Sequence, residues 1–326
     1  MKRLHLIIYI LMFSLYIEAQ MQIKIMSLNC ENAFDTRHDE GKDDYEYVEG
    51  GARHWNKSRL YRKLNGIAQL VAATDTVNPV PLVALCEVEN DSVLDCLVNH
   101  TPLRAIGYQY VMTDSPDSRG VDVALLYKKE KFALIDVERI RPSHVGAPTR
   151  DILHAVGIVG IDDTLDVYVV HLPSRLGGKE AADKSIQVTK GLKHNIDSIL
   201  SIRQHSRVVV MGDFNAEFSS RLFRNVLHAE AYWKNLTRQP NQLYDVVERK
   251  VPRELGSYKY KGKWSTIDHI LVNGALKVKD AGVLVSPFIT ERDESYGGIK
   301  PRRTYIGYKY NGGISDHLPV WTLLEF

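Results

Sequence analysis

The stretch Val208-Val209-Val210-Met211-Gly212-Asp213-Phe214-Asn215 decides how this chain is read, because four apolar residues in a row stop at a glycine and then at polar side chains. Such a run is short and apolar on both sides, as a strand buried within a sheet is. Other runs end the same way. Ile23 to Leu28 stops at Asn29, Leu82 to Cys86 at Glu87, and Val167 to Val170 at His171. Two later runs have the opposite polarity: Asp268 and His269 precede Ile270 to Val272, and Asp316 and His317 precede Leu318 to Leu324. The run Val121 to Tyr127 carries Asp122 near its start. Where strands running both ways share one sheet edge, residues that follow one set meet residues that precede the other. That gathers Asn29, Glu87, Asp122, His171, Asp213, Asn215, Asp268, Asp316 and His317 at one end of a core.

Helical periodicity over Lys57 to Ala73 and Lys179 to Arg203, weaker around Ser92 to Ile106 and Ser219 to His228, predicts helices that cover the sheets from outside. Several neighbouring strands are joined by links too short for a crossover helix. The expected class is therefore an α/β sandwich rather than an all-parallel fold. With 44% hydrophobic and 25% charged residues in 326, the composition is that of an ordinary globular protein. No Pro-, Ser- or Gly-rich linker and no internal repeat divides it, so residues 21–326 are expected to form one domain.

Residues 1–20 stand apart, because Lys2 and Arg3 precede an apolar run from Leu6 to Ile17 that ends near Ala19. This is the pattern of a secretory signal peptide, which places the product in the periplasm or outside the cell. The run is shorter than the ~20 apolar residues that span a bilayer, so no transmembrane segment is expected in the mature chain. Cys30, Cys86 and Cys96 are too few for a disulfide scaffold and lack zinc-site spacing. A net charge of +2 announces no polyanion partner, so attraction to nucleic acid must come from a local patch.

Carboxylates gathered with Asn and His, without a thiolate set, favour a hard divalent cation held through oxygen, most simply magnesium. Such a site suits phosphoester hydrolysis, in which charge on the phosphoryl oxygens is neutralised while a carboxylate or histidine orients and deprotonates water. Each residue alone has an innocent reading, since an Asp after a strand commonly caps a turn. Convergence of five or more such ends carries the case.

Gly212-Asp213-Phe214-Asn215, Ser315-Asp316-His317-Leu318-Pro319 and Glu87 after its strand resemble the endonuclease/exonuclease/phosphatase superfamily with the deoxyribonuclease-I-like fold. The order agrees too, from Asn29 through Glu87, His171, Asp213, Asn215 and Asp268 to Asp316 and His317, across residues 23–326. The resemblance implies a four-layered αββα sandwich of two mixed, largely antiparallel sheets flanked by helices, and magnesium- or manganese-dependent hydrolysis. It implies Glu87, Asn29 and Asp316 as metal ligands. It further implies His317 paired with Asp268 as base or phosphate stabiliser, Asp213 positioning water, Asn215 holding a phosphate oxygen, and His171 stabilising charge with Asp122 behind it.

Local motifs narrow the phosphoester. Glu31-Asn32-Ala33-Phe34-Asp35, then an acidic stretch, Trp55 and a helix carrying Arg59 and Lys63, resemble secreted bacterial nucleases of the superfamily, as does His171 to Gly178 with Arg175. Between Gly297 and Gly313, Lys300, Arg302, Arg303 and Tyr305 form a basic, aromatic segment leading into Asp316, suited to gripping phosphates and stacking bases. A secreted endonuclease acting on DNA or RNA is the expected function, with no obligatory protein partner. A sphingomyelinase-like or inositol-phosphate phosphoesterase is the alternative enzyme, and a non-catalytic binding module of the same fold the alternative class. A serine hydrolase lacks the Gly-x-Ser-x-Gly elbow.

Overall fold

The computed structural model describes residues 21–75, 78–143, 148–174, 177–203, 205–233, 237–252 and 254–326. The expected signal peptide at 1–20 and Arg175 lie outside the described residues. In chain order the strands and helices are β1 (Gln22–Ala33), α1 (Lys57–Thr74), β2 (Leu82–Val88), α2 (Asp91–Asn99), β3 (Gln109–Met112), β4 (Asp122–Tyr127), β5 (Ala133–Ile140), β6 (Ile152–Val159), β7 (Asp163–His171) and α3 (Gly178–Ile202). There follow β8 (Arg207–Asp213), β9 (Glu230–Ala231), β10 (Leu243–Asp245), β11 (Tyr258–Tyr260), β12 (Lys263–Ser265), β13 (Asp268–Asn273) and β14 (Lys277–Val283). The chain closes with β15 (Thr290–Arg292), β16 (Ile299–Pro301), β17 (Tyr305–Ile306), β18 (Lys309–Tyr310) and β19 (Val320–Glu325).

One six-stranded sheet has the order β14-β19-β1-β2-β4-β3, and a seven-stranded sheet has the order β5-β6-β7-β8-β13-β10-β9. Pairing is mostly antiparallel, with parallel contacts only at β1–β2, β7–β8 and β9–β10 within these two sheets. The first two parallel pairs need crossovers, and α1 and α3 supply them. The expected four-layered sandwich is the observed architecture.

Strand alternation sorts the apolar side chains into three cores. Ile25, Ala84, Val123, Leu125, Val167, Val209 and Ile270 fill the space between the sheets. Met26, Leu28, Val83 and Leu85 point the other way, under α1 and α2. Tyr168, Val170, Val208, Val210 and Leu271 meet α3 on the far side. The first helix begins where Asn56 accepts a hydrogen bond from Arg59 N at 3.0 Å, and α2 where Asn90 accepts from Val93 N at 3.1 Å. Along α3 a stripe of Val188, Leu192, Ile196 and Leu200 faces the seven-stranded sheet. The weak periodicity after Ser219 becomes a short π-helical turn at Leu222–Leu227.

This alternation also aims the site. Asn29 shares the parity of Ile23 and Ile25, His171 that of Val167 and Val169, Asp213 that of Val209 and Met211, and Asp268 that of Ile270 and Val272. All four therefore face the gap between the sheets at one end. Glu87 has the wrong parity for this. A register shift between Cys86 and Val88, with φ of 60° at Glu87, turns it back.

Candidate active site

Asp213 ends β8 directly opposite Asp268, the first residue of β13. The Asp213 carboxylate accepts from Asn29 Nδ2 at 3.0 Å, from the Asn215 backbone N–H at 2.8 Å and from Asn215 Nδ2 at 3.3 Å. Asn215 sits at φ 49°, a left-handed conformation that lets the chain fold back so that the Asn215 amide also reaches the Leu172 carbonyl at 2.9 Å. Gly212, at φ 144°, has no alternative, because a Cβ there would lie 1.9 Å from the Val170 carbonyl oxygen.

Two histidines flank Asp213. His171 Nε2 lies 3.7 Å from Asp213 and 3.7 Å from Glu87, while its Nδ1 is buried without a hydrogen-bond partner among the described residues. His317 Nδ1 bonds Asp268 at 2.7 Å, and its Nε2 lies 4.0 Å from both Asp213 and Asp316. Asp213, Asp268 and His317 offer ligand atoms that all fall within 4.8 Å of one another. Ser315 ties this segment down, donating to the Asn29 carbonyl at 2.6 Å and accepting from His317 N at 2.9 Å.

Around this centre stand the more open carboxylates. Glu87 accepts from Asn32 N at 2.9 Å and pairs with Arg119 at 3.4 Å, and Asp316 accepts from Arg303. Glu31, at φ 48°, accepts from Thr304 N at 2.5 Å and lies 3.9 Å from Arg303 Nε. Buried Lys63 reaches in from α1, bonding Thr304 Oγ1 at 2.6 Å and the Ile314 carbonyl at 2.8 Å. Tyr258 places its ring 5.0 Å from His317 and lies beside Arg303.

Crowding of buried acids shows in their proton affinities. Burial and then the neighbouring Asp268 push Asp213 up to about 7, and burial and then Asp316 push Glu31 to about 7. Burial also raises Glu87, but Arg119 and His171 overcome it and hold the carboxyl below its usual range. Burial, then Arg150, keeps His171 neutral, whereas for His317 burial is outweighed by Asp268, Asp213 and Asp316, which raise it well above the usual histidine range.

Asn29, Glu87, His171, Asp213, Asn215, Asp268, Asp316 and His317 are thus brought together, and Arg303 joins them. Asp122 does not stand behind His171. It shares the parity of Ala124 and Leu126, which face away from the gap between the sheets, and its carboxylate accepts from Thr113 Oγ1 at 2.5 Å and Ser115 N at 3.1 Å. Tyr305 is not an open stacking surface either: it is buried against Trp55, Tyr47 and Tyr310 and donates to the Arg53 carbonyl at 3.0 Å. Lys300 pairs with Glu291 at 3.5 Å, and Arg302 is exposed. The site also holds Glu31, Arg119 and Tyr258, to which residue order assigns no role. Glu31 has the parity of Asn29 two residues on and opens the Glu31-Asn32-Ala33-Phe34-Asp35 motif, Tyr258 begins a second small basic, aromatic stretch to Lys263, and Arg119 precedes Gly120 at the entry to β4.

The family model described as the Endonuclease/Exonuclease/phosphatase family matches residues 24–325. No curated protein matches the chain in sequence. Among solved structures, the Bacteroides thetaiotaomicron VPI-5482 mannosyl-6-phosphatase superposes with a TM-score of 0.60 at 18% identity, over 93% of this chain and 100% of that one. The human Nocturnin catalytic domain gives 0.58 at 17%, over 94% and 96%. A humanized D. rerio TDP2 gives 0.57 at 15%, over 94% and 99%. At these identities the likeness is one of fold.

Proposed function

The chain belongs to the endonuclease/exonuclease/phosphatase family of metal-dependent phosphoester hydrolases, and from that premise we propose that it is a secreted, magnesium-dependent phosphodiesterase that cleaves nucleic acid. The observation that carries the hydrolytic part is the placing of His317 Nε2 4.0 Å from both Asp213 and Asp316 while Asp268 holds Nδ1.

The donor set fits a hard cation. Its oxygens come from carboxylates and amides, burial raises the Cys30 thiol to about 12, and no thiolate competes. Glu87 and Asp316 keep 12% and 20% of their side chains accessible, against 2% for Asp213, so a cation arriving from solvent meets them first. Glu87, Asn29 and Asp316 would hold it, with Glu31 beside Asp316. A divalent cation there supplies charge neutralisation at the phosphoryl oxygens and the leaving oxygen.

The remaining residues divide the work. Asp268 fixes the orientation of the His317 ring and stabilises its imidazolium, so that Nε2–H faces the cleft. Asp213, braced by Asn29 and Asn215 and raised to about 7, takes the proton of the attacking water near neutral pH, coupled to His317. In this arrangement the Asn215 amide braces Asp213 rather than reaching outward. Neutral His171, whose Nε2 faces two carboxylates, carries its proton on that nitrogen and donates it toward a phosphoryl oxygen. Arg119 and Arg303 stand beside the two open carboxylates, and guanidinium N–H groups not used in those pairs would donate to an incoming phosphate.

Secretion is supported by Lys2, Arg3 and the apolar run that follows, and a nucleic-acid substrate by the exposed cations and tyrosines near the site. No helix among the described residues is long and apolar enough to cross a membrane. The test is a substrate panel with and without chelator: bis-(p-nitrophenyl) phosphate, plasmid DNA, RNA, mannose 6-phosphate and sphingomyelin. Chelator-sensitive degradation of nucleic acid is expected. Intact DNA and RNA where the lipid or sugar phosphate is hydrolysed would reverse the substrate assignment, and no turnover with any divalent ion would make the chain a binding module.

A further inference from the structure

Three small hairpins, β11–β12, β15–β16 and β17–β18, stand outside the two main sheets, and each carries an exposed tyrosine at or beside a glycine turn. Tyr260 precedes Lys261-Gly262, Tyr296 precedes Gly297-Gly298, and Tyr308 follows Gly307. Their exposures are 56%, 60% and 61%, high for a residue type that buries most of its ring when a core is available. Two-stranded hairpins of this size do not hold their shape alone. Here they are tied to one another. Lys259 pairs with Asp293 at 2.8 Å, the side chains both 5% exposed, and donates to the carbonyls of Gly297 at 2.9 Å and Ile299 at 3.1 Å. Asn311 reaches Glu291 at 3.0 Å, joining the third hairpin to the second. Gly262 abuts Tyr296, and the Tyr308 hydroxyl donates to Glu46 at 2.9 Å while Arg53 lies 5.3 Å from its ring.

The group is also rooted in the active site. Tyr258, the first residue of β11, forms a β-bridge with His317, and Arg303, between β16 and β17, holds Asp316. Its acids are already matched: Glu291 with Lys300 at 3.5 Å, Asp293 with Lys259, and Glu294 with Arg292 at 3.5 Å. Lys261, Lys263 and Arg302 are exposed, with no carboxylate partner among the described residues. The surface therefore combines rigid aromatic rings with unmatched positive charge next to a phosphoester-cleaving site.

Taking the nucleic-acid reading above as its basis, we propose that these hairpins form a platform for single-stranded nucleic acid, with bases stacked on Tyr260, Tyr296 and Tyr308 and phosphates held by Lys261, Lys263 and Arg302. A duplex keeps its base faces inside the stack and shows edges and phosphates, which give the ring faces of tyrosines at hairpin tips nothing to stack on. An unpaired strand offers a face at each base, and stacking on aromatic side chains with cationic groups alongside is how such strands are held. The platform would thus feed unpaired segments to the cleft.

Binding is measured by fluorescence anisotropy with the cleavage-deficient His317→Ala protein in magnesium, using labelled DNA and RNA single strands, the corresponding duplexes, and phosphatidylglycerol vesicles. Tyr260→Ala, Tyr296→Ala and Tyr308→Ala are added singly and together, with circular dichroism and melting temperature as checks of fold. Single strands of DNA, RNA or both should bind more tightly than duplex. Each tyrosine removed should weaken that binding by about 5- to 100-fold. Equal binding by the triple variant, preference for duplex, or vesicle binding that the triple variant loses while single strands go unbound would each overturn the platform. If the unmutated protein still degrades DNA or RNA in magnesium, that failure concerns the platform alone. If it hydrolyses only bis-(p-nitrophenyl) phosphate, the nucleic-acid reading fails as well, and if it hydrolyses neither, so does the hydrolase reading.

Discussion

The Asp268 carboxylate lies 2.7 Å from His317 Nδ1 across 49 residues of sequence, joining the start of β13 in one sheet to the segment that enters β19 in the other. Asp268→Asn keeps the shape of this contact and removes its charge. Turnover of bis-(p-nitrophenyl) phosphate should fall by about two to four orders of magnitude, as expected when a proton-transfer group is mispositioned or loses its partner. His317→Ala, Asp213→Ala and Glu87→Ala should each remove most activity and leave the circular dichroism spectrum unchanged. Near-normal turnover in His317→Ala would overturn the mechanism.

Asp213 and Glu31 make the metal-free protein sensitive to pH. Their folded values, about 7, lie above the ordinary carboxylate range, so the stability they lend is full in acid and is lost as pH rises through about 7. His317, raised by Asp268, Asp213 and Asp316 against burial, contributes with the same sign. In chelator-treated protein, Asp213→Asn and Glu31→Gln should therefore gain stability relative to wild type between about pH 4 and about pH 7, on the order of a few kcal/mol at most, read from urea unfolding at each pH. A difference that does not change with pH contradicts this.

Magnesium should reverse that cost. Saturating the site to about 100 times its dissociation constant stabilises a protein by about 2.7 kcal/mol, visible as a rise in melting temperature. Glu87→Gln and Asp316→Asn should lose most of the rise. A variant that keeps it would remove the corresponding residue from the ligand set.

A second Asp–His pair lies behind the first. His269, next in β13 and on its opposite face, is fully buried, with Nδ1 2.5 Å from Asp245 and Nε2 2.9 Å from the Ala216 carbonyl. Burial works against a charged ring there, yet Asp245 raises its proton affinity. His269→Leu leaves Asp245 buried and unpaired and should cost about 3–5 kcal/mol in urea unfolding. The double replacement His269→Leu with Asp245→Leu should cost less than His269→Leu alone. If it does not, the pair is not coupled.

Gly212→Ala tests the backbone directly. Its Cβ would meet the Val170 carbonyl in the neighbouring strand, so β7 and β8 must separate at the point where His171 and Asp213 are aligned. Loss of soluble protein, or of at least ~2 kcal/mol together with activity, is expected. A variant as stable and active as wild type would show that this close approach is not required.

Much of the cleft was legible in residue order because strands alternate. Asn29, His171, Asp213 and Asp268 continue the inward parity of apolar runs that must be buried, so the pattern that makes the core also aims these side chains. Two kinds of position escaped it. Glu87 follows Leu85 in outward parity and reaches the cleft only through a bulge, and Asp122 has outward parity and stays there, bonded to Thr113 and Ser115. The composition of Gly297 to Gly313 marked a basic, aromatic segment, but not which ring is open: Tyr305 is buried against Trp55 while Tyr308 is in solvent. Arg119 meets Glu87, and Glu31 meets Thr304, through loops whose course follows from packing rather than from local preference. Alternation is a property of neighbouring residues and is written along the chain; bulges, loop paths and the mutual burial of distant charges arise only when the two sheets close on each other.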